Sequence, residues 1–137
     1  MNQLKQKYLA FFMLLLVVGL QGCTSINPIA QADTLELRAY AASGTYNIFA
    51  ARGLALIRTG TLPDDVSLRL ITLQERATPV VDSLDEALEE FEVVRDAISA
   101  GEAGSERLVI VSRNLNTWVT RAYPLVTSLK NAVKGAE

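Results

Sequence analysis

The side chains able to do covalent or acid–base chemistry are few in this chain, and their spacing argues against an active site. Histidine is absent and cysteine occurs once, at Cys23. That removes an internal disulfide, a Cys-rich zinc site and any Cys/His or Ser/His dyad. Ser43 stands in AASGTY, without a G-x-S-x-G elbow and with no imidazole to activate it. Beyond the first turn-lengths of the chain, a Ser–Lys pair would have to draw on Lys130 or Lys134, both near the C-terminus. Glu86 and Glu90 have the helical spacing of a carboxylate pair. On an acidic, solvated face both stay ionised, which leaves no general acid for glycosidase-like work. No Gly-rich phosphate loop opens a helix and no EF-hand-like run of acids appears. A formal net charge of −2 without a basic cluster argues against nucleic acid. The expectation is a protein that is not an enzyme and holds neither metal nor cofactor.

The chemically distinctive position is Cys23, because of what precedes it. MNQLKQKY (1–8) carries Lys5 and Lys7 and no acid, LAFFMLLLVVGL (9–20) is uninterrupted apolar, and LQGC follows. A positive start, a short apolar core and a cleavage zone form the layout of a secretory signal. As a helix the apolar run spans about 18 Å, well short of a hydrocarbon core of about 30 Å. A cleaved signal is therefore favoured over a permanent span.

Leu20, Gln21, Gly22 and Cys23 resemble the lipobox of bacterial lipoproteins, with an aliphatic residue three before the cysteine and a small one just before it. Gln21 departs from the residue types commoner at its position. The resemblance covers residues 1–24 only. It implies that Cys23 receives a diacylglyceryl thioether, that cleavage falls between Gly22 and Cys23, and that the new N-terminus is acylated, for example with palmitate. Two or three acyl chains, at about 0.8 kcal/mol per buried CH₂, exceed what reversible single-chain attachment provides. It also implies a cell-envelope protein facing the periplasm. Thr24, where aspartate would mark inner-membrane retention in enterobacterial lipoproteins, points to the outer membrane.

The elements behind that anchor are helical. Residues 1–22 read as signal, 23–32 as lipidated cysteine and short tether, and 33–137 as one helical domain. The nine residues 24–32 reach at most about 30 Å, which keeps the domain close to the bilayer. Losing Lys5 and Lys7 with the signal takes the net charge from −2 to −4. Asp33 and Glu36 have capping-box spacing before a first helix ending at Gly60. Pro63, Asp64 and Asp65 make a favourable first turn for a second helix that stops at Gly101. Ser105 with Glu106 opens a third, reaching about Lys134. Apolar residues keep a 3.5-residue period through Pro79 (Val66, Leu70, Leu73, Ala77, Val80, Leu84, Leu88) and through Pro124 (Leu115, Trp118, Ala122, Leu125, Leu129). This predicts an all-α, up-down antiparallel bundle of three long helices, the second and third kinked at their prolines. The alternative is a four-segment bundle with a break at Pro79. Acids at 82–102 against bases on the third helix predict charge pairing between those two neighbours.

The first helix has two apolar stripes. Leu37, Ala41, Gly44, Ile48, Ala51 and Ala55 line one side, and Leu35, Ala42, Phe49 and Leu56 recur every seven residues about 130° away. A three-helix bundle covers one broad face of each member, so the second stripe, with Tyr46, is a candidate interaction surface. It could be covered internally, by an envelope protein or a second copy, or by an apolar ligand or the bilayer. The leading functional expectation is a lipid-anchored, non-catalytic domain acting through protein contacts in the cell envelope. The alternative is a carrier or sensor of an apolar, lipid-like ligand.

Overall fold

A computed structural model describes residues 34–137. The signal, Cys23 and the tether lie outside the described residues, as does the expected cap Asp33. Three helices account for nearly all of it: α1 (Leu35–Arg58), α2 (Asp64–Ser99) and α3 (Ser105–Lys134). They pack as an up-down-up bundle, with α2 and α3 sharing the most extensive contact and α1 lying more on α3 than on α2.

The helix ends follow local rules. Thr34 takes the N-cap of α1, its Oγ1 accepting the Leu37 N–H at 3.2 Å. Glu36, in the first turn, pairs across the bundle with Arg95 at 2.6 Å. Gly60 and Gly101 adopt positive φ, +66° and +78°, in the positions where a helix turns into the left-handed region. At the end of α2 the Gly101 N–H donates to the Ile98 carbonyl at 3.0 Å and the Glu102 N–H to the Ala97 carbonyl at 2.8 Å. These two bonds make a Schellman cap. Pro63 opens α2 with Asp64 and Asp65 in its first turn.

Both α2 and α3 run unbroken through Pro79 and Pro124, so the three-helix expectation holds and no fourth segment forms. Each proline removes one N–H from the ladder. The prolines are exposed, and so are Glu75 and Thr120, whose carbonyls lose that partner. Water can substitute there. The apolar phase continues past each proline into the core: Leu70, Ala77, Val81, Leu84 and Leu88 from α2 meet Leu115, Val119, Ala122, Val126, Leu129 and Val133 from α3. Filling that core side by side is what holds the long helices together.

The expected charge pairing between α2 and α3 does not occur. Among the described residues the ion pairs are Arg95–Glu36, Arg95–Asp96 at 3.2 Å and Arg52–Glu137 at 3.5 Å, and none joins α2 to α3. Apolar residues occupy the facing sides, so the charged side chains of both helices are turned outward.

Candidate interaction surface

Packing assigns the two stripes of α1 in the opposite sense to the expectation. Ala42, Tyr46 and Phe49 are buried, Phe49 to 8% exposure, and Leu35 and Leu56 are partly buried against the same cluster. Internal burial therefore covers the second stripe. The surface assigned to Leu35, Ala42, Tyr46, Phe49 and Leu56 is an inner face of the bundle. The reason is volume: the aromatic rings of Tyr46 and Phe49 lie on this side and fill the space against α2 and α3.

The other stripe is the open one. Leu37 is 53% and Ile48 58% exposed, Gly44, Ala51 and Ala55 are exposed as well, and Ala41 of the same stripe is partly buried against the core. Gly44 does not serve close backbone packing, since a Cβ built there would meet nothing within 4 Å. The close approach is at Gly53 instead, on the inner face, where a Cβ would sit 3.4 Å from Val133 Cγ2. This Gly53–Val133 contact explains why α1 lies tightly on α3. Gly53 carried no signal of its own in the sequence, although it falls four residues after Phe49 on the buried side.

Where α1 meets α2 the contact is polar. Tyr40 donates its hydroxyl to the Glu92 carboxylate, and Ser43 donates to Asp85. Tyr46 and Thr78 are joined at 2.6 Å, and Thr78 Oγ1 also donates to the Gln74 carbonyl at 2.8 Å. With its own proton committed there, Thr78 accepts from the Tyr46 hydroxyl. Glu36–Arg95 completes a ladder of four links along one seam. The bond to Glu92, first, and the field of that carboxylate raise the Tyr40 pKa above its ordinary value of 10.0. The Arg95 guanidinium is likewise held in its charged form by Glu36 and Asp96.

Along the seam, Tyr40, Ser43, Gly44 and Asn47 face Asp85, Leu88 and Glu89 across an open groove. A second cleft, at the other end, is lined by Asp65, Arg69 and Asn131 together with Leu70. Among the described residues, the side chain that Ser43 meets by hydrogen bond is the Asp85 carboxylate. Glu86 and Glu90 are separately exposed. Among the described residues no group of three or more His, Cys, Asp or Glu is arranged to hold a metal ion. Nor, among the described residues, is any helix long and apolar enough to cross a membrane.

Chemically, α1 presents a half-apolar outward face bordered by hydrogen-bonding groups, which suits contact with another surface. No family model, no curated protein and no solved structure matches this chain.

Proposed function

We propose that this chain is a lipid-anchored lipoprotein of a bacterial cell envelope, held through acyl chains on Cys23, whose helical domain works by protein contact rather than catalysis. The anchor rests on the Leu20–Cys23 pattern after the apolar run. The observation that carries the contact reading is the outward face of α1, where Leu37 and Ile48 stay more than half exposed with small residues between them. An apolar side chain left in water forgoes its transfer free energy, and an interface that covers it recovers that term. Small neighbours let a partner helix approach closely. An apolar-ligand carrier would need an enclosed apolar cavity, whereas the clefts described above set charged side chains such as Asp65, Arg69, Asp85 and Glu89 beside their apolar ones.

Two measurements test this separately. Intact-mass analysis of membrane-extracted protein is expected to show a chain beginning at Cys23 with acyl groups, lost in Cys23→Ala. A precursor-length chain of unmodified mass would end the anchoring half. For the contact half, Leu37→Glu with Ile48→Glu is expected to release a partner that co-purifies with the wild-type chain, while leaving the fold intact. A partner retained by the double variant would end that half.

A further inference from the structure

We propose that the outward faces of α2 and α3 dock on one another between two copies of this chain, side by side and pointing the same way. Along α2, Asp82, Glu90, Val93 and Asp96 follow one another in steps of eight, three and three residues. Back along α3, Arg121, Arg113, Ile110 and Arg107 follow in the same steps. At 100° per residue each series stays on one side of its helix. All eight are exposed, Val93 to 61% and Ile110 to 67%. Among the described residues Asp82, Glu90, Arg107 and Arg113 make no ion pair. Asp96 already shares Arg95, and Arg121 lies over the Trp118 ring at 4.9 Å. Laid antiparallel, the two series bring every acid to a base and Val93 to Ile110.

Orientation follows from the fold. Because α2 and α3 are antiparallel within one chain, an α2 that runs antiparallel to a neighbour's α3 leaves the two bundles parallel and level. Every α1 then begins on the same side, as chains tethered through residues 23–32 to one membrane require. The contact is heterologous, so copies related by rotation about an axis along the helices close into a ring or extend as a row. It also leaves the outward face of α1 free. The proposal deepens the protein-contact reading above and rests on it, but the charge register does not depend on the anchor. Exposed pairs are individually weak and screened by salt, so association strengthens where tethering concentrates the chain on a surface.

The test uses the full chain in its membrane, with Val93→Cys and Ile110→Cys on separate copies, mixed and oxidised. Any bond between them is then intermolecular. The expected result is a dimer from this mixture and none when Leu68→Cys replaces Ile110→Cys. Adding Glu90→Arg or Arg113→Glu to both copies is expected to lower the yield roughly fivefold. The two reversals combined in one chain restore it, because the pair is then only exchanged. No Val93–Ile110 bond, a yield indifferent to single reversals, or no recovery in the double reversal would overturn the proposal. Retention of a partner through Leu37 and Ile48 in that case would leave the broader reading standing, and the mass of the Cys23→Ala chain reports on the anchor alone.

Discussion

The two sides of α1 are nearly alike in hydropathy and opposite in fate. The inner side carries Leu35, Ala42, Tyr46, Phe49 and Leu56 and closes on α2 and α3, with Gly53 set against Val133. The outer side carries Leu37, Gly44, Ile48, Ala51 and Ala55, all exposed among the described residues. The difference lies in side-chain volume and in hydroxyls. Large residues fill the space the longer helices leave, and Tyr40, Ser43 and Tyr46 reach acceptors on α2. Apolar character alone therefore does not identify a core face. An apolar face left over after the aromatic rings are buried, with Leu37 and Ile48 still open on it, is a surface with something to gain from contact.

The largest expected effect breaks the inner side. Phe49→Ala removes a buried aromatic ring and is expected to cost about 3–5 kcal/mol, read from urea midpoints of the soluble chain beginning at Thr24. A loss comparable to that of a surface substitution would place Phe49 outside. Next comes a paired enlargement. Ala42 has no exposed surface, so Ala42→Leu is expected to cost about 1–3 kcal/mol by overpacking. The same enlargement at exposed Ala51 should stay within about 0.5 kcal/mol. Equal costs would erase the distinction between the sides.

Smaller effects probe the seam. Tyr46→Phe is expected to cost about 1 kcal/mol, the net value of one hydrogen bond to Thr78. The smallest effect is the pH dependence of Tyr40. Its pKa is raised in the folded chain, chiefly by donating to Glu92. The stabilisation is therefore complete below the unfolded value near 10 and is lost as pH rises through the higher folded value. Denaturation curves of wild type and Tyr40→Phe should converge above that pH and differ below it. Curves that diverge with rising pH would show the link to be misassigned.

Much of this fold was legible in local chemistry. Gly60 and Gly101 mark helix ends because glycine tolerates the left-handed backbone there, and Pro63 because its fixed φ suits a helix start; neither depends on distant packing. The apolar phase through Pro79 and Pro124 was legible for a similar reason, since a break would have shifted the register. The orientation of α1 was not, because two stripes about 130° apart satisfy the same periodicity and only the volumes at Tyr46 and Phe49 favour one. The seam was invisible as well. Its partners are 32 to 59 residues apart in sequence, and hydroxyls paired with acids have no spacing rule. The charge pairing expected between α2 and α3 failed because apolar packing claims the sides that face each other.

The central claim is that the outward face of α1 is the surface through which this domain meets a partner. It is tested most directly by placing a photo-cross-linking side chain at position 48, and separately at the equally open apolar position 68, in the full chain in its membrane. The account predicts a discrete protein adduct from position 48, abolished by Leu37→Glu, and none from position 68. No adduct from position 48, or the same adduct from both positions, would contradict it.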